Sequence, residues 1–228
     1  MEELYVYDAP PSLDLGAFGA SDDSPDILFP KLEKLQLLYR GGDDNNIQVI
    51  HEDGRPRRFH FPQLRDISVD CRWSRCPHIE DAVFPAAVDS FSIAGSAALL
   101  TAVAAKSLPT TQNLVLEVVD DSGNARSAFA AINSILSSMR PCKKATLNIA
   151  DEYLSVLPKD ITFTGLTNLV IASPTSVHTI IELVRKLPQL VSLYISAYLS
   201  GVTDQQLGEF VANYSHRYPH LSNIRLLG

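Results

Sequence analysis

The sequence predicts an α/β solenoid: a curved parallel sheet of about nine strands, with helices and irregular returns on its convex side. Three observations carry that expectation. First, a short phrase recurs, an apolar residue followed by Pro or another residue and then Leu-x-x-Leu-x-Leu or a close variant. It reads Phe29-Pro30-Lys31-Leu32-Glu33-Lys34-Leu35-Gln36-Leu37, then Phe61-Pro62-Gln63-Leu64-Arg65-Asp66-Ile67-Ser68-Val69. It returns as Phe163 to Ile171, Leu187-Pro188-Gln189-Leu190 to Ile195, and Tyr218-Pro219-His220-Leu221 to Leu226. Second, the first Leu-type residue of each Leu-x-Leu pair marks a regular spacing. The markers Leu4, Leu35, Ile67, Phe91, Leu114, Leu147, Leu169, Leu193 and Ile224 lie 31, 32, 24, 23, 33, 22, 24 and 31 residues apart. Internal repetition at 20–50 residues decides architecture before any single residue does. Third, the marker segments alternate apolar and other residues, the period of a half-buried strand.

Taken in order, the strands begin at Leu4 to Tyr7 and recur at each marker, core side chains on one face and the intervening ones on the other. The stretch from Arg40 to His60 holds Gly41-Gly42, Gly54 and Pro56. Ile47 and Val49 alternate on one side of Asp53-Gly54, Phe59 and Phe61 on the other, which predicts an inserted hairpin. Arg72 to Val83 and Asp151 to Ile161 are poor helix formers and are expected to run extended or in one 3₁₀ turn. Ser96 to Lys106 is rich in Ala and Leu and reads as a helix. So does Ala125 to Met139, where Phe129, Ile132 and Leu136 share one face. Ser173-Pro174 predicts a helix start, with Leu187-Pro188 as its stop. Thr203-x-x-Gln206 fits a capping box opening a last helix, with Leu207, Phe210 and Val211 inward. Such units cannot bury an apolar face alone, so neighbours stack into one core and pair in parallel. The whole chain, 1–228, reads as a single repeat domain. A repeat phrase stands near both ends without a polar cap, so the expectation is an excerpt of a longer solenoid or ends covered by a partner.

Composition narrows the function classes. The chain has 228 residues, 46% apolar and 20% charged, enough to build a core. A net charge of −7 argues against a general nucleic-acid binder. Three cysteines without framework spacing suggest a reducing compartment. The acidic start Met1-Glu2-Glu3 lacks a secretory n-region, and the long uncharged stretch Ile161 to Ile181 is interrupted by Gly165, Asn168, Pro174 and His178. A cytoplasmic or nuclear protein is expected.

The Leu-x-x-Leu-x-Leu segments and their spacing resemble the leucine-rich-repeat superfamily. The uneven lengths and Phe-Pro-x-Leu lead-ins are most similar to the irregular repeats of F-box-type and fungal leucine-rich-repeat proteins. The resemblance covers nearly the whole chain. It departs five residues after each marker, where the family carries Asn or Cys and this chain has Arg40, Arg72, Ser96, Val119, Glu152, Pro174 and Tyr198; only Cys71 comes within one residue. The resemblance implies a protein-binding module, the substrate-recognition repeats of a ubiquitin-ligase receptor whose linking domain lies elsewhere. Two other classes compete: an α/β hydrolase or transferase, and a structural spacer in an assembly.

The same residues offer four candidate sites. The concave strand face would present Lys34, Gln36, Leu38, Asp66, Ser68, Asp70, Ser90, Ser92, Asn113, Val115, Glu117, Asn148, Asn168, Val170, Tyr194, Ser196 and Arg225, beside a bland reading as a solvated sheet. A rim site combines Arg40 and Arg72, in one register on adjacent strands, with Trp73, Tyr7 and Tyr39. Arg and aromatics dominate binding hot spots, while the bland alternative has Trp73 covering the core and the arginines paired locally. Asp120, Asp151 and Glu152 would make the rim acidic further along. The partner-binding set is therefore Tyr7, Tyr39, Arg40, Arg72, Trp73, Lys34, Gln36, Asp66, Ser68 and Asp70. Third, Arg55-Pro56-Arg57-Arg58 with His60, Arg65 and Arg75 forms a local basic run, more simply a solvated loop. Fourth, Cys71, Cys76 and His78 supply three of the four ligands that zinc needs; metal binding is not expected. No Gly-x-Ser-x-Gly elbow, phosphate loop or His-Glu-x-x-His occurs. The expectation is a protein partner, with no catalytic residues, cofactor, metal, small-molecule substrate or membrane.

Overall fold

Three of the Pro-containing lead-in phrases fold as β-turns with proline in the second position. Phe29 accepts a bond from the Leu32 amide, Phe61 from Leu64, and Leu187 from Leu190, at 3.1–3.4 Å. Proline's fixed φ suits that position. The first and last residues of each turn are buried, and the Phe29 and Phe61 rings stack at 5.3 Å. The computed structural model describes residues 3–7, 26–39, 58–71, 82–119, 125–138, 141–155, 165–173, 175–196, 203, 205–206, 208–209, 212, 218 and 220–227. The protein is α/β with open, parallel sheet. It divides into two compact units, Met1–Pro109 with Val119–Ile132, and Thr110–Val118 with Asn133–Gly228.

In the first unit, strands β1 (Glu3–Tyr7), β3 (Lys34–Tyr39), β5 (Asp66–Cys71) and β7 (Ala87–Gly95) pair in parallel, in chain order. Leu4, Leu35, Ile67 and Phe91 are aligned in register, as the marker spacing predicts. A second parallel sheet joins β2 (Asp26–Leu28), β4 (Arg58–His60) and β6 (Ala82–Val83), which lie just before the Phe-Pro phrases. Strand β4 has parallel neighbours on both edges. The turn and first arm of the hairpin expected around Asp53-Gly54 fall on residues 40–57, which lie outside the described residues. Helix α1 (Ala97–Ala104) follows β7 and is capped by Ser96, whose hydroxyl accepts from the Leu99 amide. Gly95 allows that switch: a Cβ there would lie 2.4 Å from Leu99 Cδ2 and 2.9 Å from the Cys71 carbonyl.

The second unit repeats the plan with β8 (Thr110–Val118), β9 (Lys144–Asn148), β10 (Asn168–Ile171), β11 (Ser192–Ser196) and β12 (Asn223–Leu227), again parallel and in chain order. Register moves one marker. Ala145, not Leu147, aligns with Leu114 and Leu169, so two intervals become 31 and 24 residues. Both residues face the core, because a shift of two preserves the face. Helix α2 is Ala125–Ser138, as expected, its residues to Ile132 belonging to the first unit and those from Asn133 to the second, with Ala128, Ala131, Ile132, Ile135 and Leu136 buried and Phe129 only half-buried. Helix α3 (Asp151–Ser155) corrects the extended return expected there: Asp151 and Glu152 in its first turn suit the positive end of a helix. Helix α4 (Val177–Arg185) begins later than Ser173-Pro174 implied. Ser176 is its cap, while Ser173 is buried and donates to the Ile149 carbonyl at 2.5 Å. The Thr203–Gln206 box forms as predicted, with reciprocal bonds of 3.0 and 3.2 Å. Leu207, Phe210 and Val211 lie outside the described residues.

Consecutive strands are joined by a backbone ladder as well as by their pairing. The amides of the two residues preceding a marker both donate to one carbonyl of the previous strand's lead-in. Arg65 and Asp66 donate to Glu33, and Asp89 and Ser90 to Arg65. In the second unit Thr167 and Asn168 donate to Lys143, Val191 and Ser192 to Thr167, and Ser222 and Asn223 to Val191. Lys143 donates to Gln112, which fits Ala145 as the true marker.

Candidate functional site

Residues alternate along most of the main-sheet strands: in β5, Ile67, Val69 and Cys71 are buried while Asp66, Ser68 and Asp70 are half-exposed, whereas β7 ends on the buried run Ile93, Ala94 and Gly95. Register gathers the positions between the core residues into rows across strands. In the first unit one row is Glu3, Lys34, Asp66 and Ser90, and the next is Tyr5, Gln36, Ser68 and Ser92. A third runs Tyr7, Leu38, Asp70 and Ala94. Lys34, Gln36, Asp66, Ser68 and Asp70 of the predicted set therefore share one face on two adjacent strands. The row of Glu3, Lys34 and Asp66 alternates in sign, the arrangement that neighbouring strand positions favour. With three carboxylates to one ammonium, this face is acidic.

The rim expectation falls differently. Arg40, Arg72 and Trp73 lie outside the described residues, as do Cys76, His78, Arg55, Arg57, Arg75 and Asp120. Tyr7 aligns with Leu38, and Tyr39 with Cys71, so the two tyrosines occupy different register levels. Cys71 is fully buried, as a strand-end residue should be. Asp151 is not a free rim charge: its Oδ1 accepts the Ser176 amide at 3.0 Å, so the carboxylate supports the positive end of α4.

In the second unit the rows are Asn113, Lys144, Asn168, Ser192 and Asn223, then Val115, Thr146, Val170, Tyr194 and Arg225. Three side chains here are mutually held. Asn223 Nδ2 donates to the Tyr194 hydroxyl at 2.8 Å, and Arg225 Nε donates to Asn223 Oδ1 at 3.0 Å. Tyr194 and Asn223 are half-buried and Arg225 is exposed. Sequence reading placed Tyr194 and Arg225 on this face but did not single them out, because 29 residues separate Tyr194 from Asn223 and only register joins them.

Among the described residues no group of three or more His, Cys, Asp or Glu is arranged to hold a metal ion. No described helix is long and apolar enough to cross a membrane. Compared with known proteins, the chain matches no family model and no curated sequence.

Proposed function

We propose that this chain is a non-catalytic protein-interaction module with leucine-rich-repeat-like solenoid architecture, binding its partner on the open strand face. One observation carries the reading: the main-sheet strands are all parallel, yet one face is buried and the other is a half-exposed polar surface. All-parallel sheets in ordinary α/β enzymes are covered on both faces, and their sites lie where strand order reverses. Here strand order follows chain order within each unit. A sheet left open on one side is the arrangement of stacked repeats, which present that face to partners. The F-box-type resemblance of the lead-in phrases extends the reading to the substrate-recognition repeats of a ubiquitin-ligase receptor in the cytoplasm or nucleus.

The test is a quantitative pull-down from cell extract with three forms of the chain. Ser68→Arg with Ser92→Arg loads the strand face, Arg72→Ala with Trp73→Ala removes the predicted rim anchors, and Leu28→Ser with Val83→Ser alters the small second sheet. Loss of specific partners with the strand-face form and their retention with the second-sheet form are expected. Unchanged recovery with the strand-face form overturns the reading.

A further inference from the structure

The face of the second unit has a polarity unlike the chain as a whole. The net charge is −7, yet on this face of β8–β12 the charged side chains are Lys144, Arg225 and a single carboxylate, Glu117 of β8, and none of the strands β9–β12 adds a carboxylate. Arg225 is held in place before any ligand arrives. Its Nε is bonded to Asn223, which is bonded in turn to Tyr194, so the side chain is anchored at its neck. The terminal Nη1–Nη2 edge makes no hydrogen bond or ion pair among the described residues. That edge is the fork that binds a carboxylate through two parallel bonds. Anchoring lowers the entropy lost when a partner binds.

The same row continues away from Arg225 as Tyr194, Val170, Thr146 and Val115, and Val115 is 37% exposed. Four strand steps of about 4.8 Å make this track roughly 19 Å long, the length of about six extended residues. It is cationic at one end and mainly apolar beyond.

We propose that this track receives a short extended peptide segment lying across the strands, with an Asp or Glu carboxylate on the Arg225 fork and apolar side chains over Val170 and Val115. Tyr194 and Asn223 are positioning residues that aim the guanidinium. The proposal rests on the strand face being the binding surface and specifies what that part of it reads.

A displayed library of random hexapeptides between Gly-Ser flanks is selected against the whole chain and against Arg225→Ala, Arg225→Lys, Asn223→Ala and Val170→Lys. The wild-type chain is expected to enrich Asp or Glu at one fixed position, with apolar residues beyond it. Arg225→Ala should lose the acidic preference and keep the apolar one. Replacing the acidic residue of a selected peptide by Gln should weaken wild-type binding roughly tenfold or more, and leave binding to Arg225→Ala nearly unchanged. Arg225→Lys and Asn223→Ala should each reduce the Glu-over-Gln ratio without shifting the thermal transition, a change that a purely structural role would not produce. An acidic preference that survives in Arg225→Ala overturns the inference. If Val170→Lys abolishes binding while Arg225→Ala does not alter selectivity, the strand-face reading stands and the carboxylate assignment falls. If neither substitution affects the selected peptides, both fall.

Discussion

At the residue scale, side chains that repair the backbone matter as much as those that fill the core. Cys142 is fully buried, and its thiol bonds to the Lys144 carbonyl at 2.8 Å and the Gln112 carbonyl at 3.4 Å. Burial raises the thiol pKa above its ordinary 9.0, partly offset by backbone hydrogen bonds at Lys144 and Leu114. A raised pKa means the fold favours the protonated thiol. This contribution is fully present below the unfolded-state value and is lost as pH rises through the folded one. Wild type should therefore lose stability above about pH 9 more steeply than Cys142→Ala, seen as converging urea midpoints. Parallel midpoints from pH 7 to 10 would refute it. Thiol reagents should leave Cys142 unmodified in the native protein at neutral pH. None of this was legible in the sequence, where Cys142 is one of three scattered cysteines. The markers were legible because Leu, Ile and Phe announce a core, whereas Ala145 is too small to stand out beside Leu147 and only register reveals it.

At the element scale, local signals succeeded where a cap and an apolar face agreed. The Ala- and Leu-rich run after Ser96 forms the expected helix, with Ser96 itself as a cap that was not foreseen, and Thr203 with Gln206 forms the predicted box. The start of α4 was misread because Ser173, Thr175 and Ser176 are all credible caps. Packing against Ile149 claims Ser173, and Asp151 from the preceding return fixes Ser176. Ser176→Ala removes the hydroxyl that accepts the Thr179 amide at 3.2 Å. It should cost about 1 kcal/mol in urea unfolding, and a change below a few tenths would show that Asp151 alone caps this helix. The second sheet escaped prediction for a different reason. Its strands are two or three residues long, too short to alternate. Their cue was position, immediately before Phe29-Pro30, Phe61-Pro62 and Phe84-Pro85.

At the scale of the molecule, the buried and the solvent-facing side chains occupy opposite faces of the same strands. Phe91, Leu114, Leu169 and Leu193 are essentially inaccessible, each contributing about 1.5–3 kcal/mol by burial. Ser68 and Ser92, one residue away from Ile67 and Phe91, are half-exposed. Single Ser68→Lys or Ser92→Lys forms should unfold within about 0.5 kcal/mol of wild type, while Phe91→Ala should cost about 3–5 kcal/mol. Equal losses from the two kinds of substitution would mean that the strand face is packed rather than open. The parallel strands and their order within each unit were legible because repetition averages over many residues. The Tyr194, Asn223 and Arg225 group was not, since it exists only once two distant segments lie side by side. The ladder at the strand lead-ins has a last consequence, for how such a chain can vary. Glu33, Arg65, Lys143, Thr167 and Val191 offer the same carbonyl from five different side chains. The joint between repeats therefore leaves no letter behind, and substitution there is free apart from proline at a donor. Lineages built this way can drift in sequence while every joint stays closed.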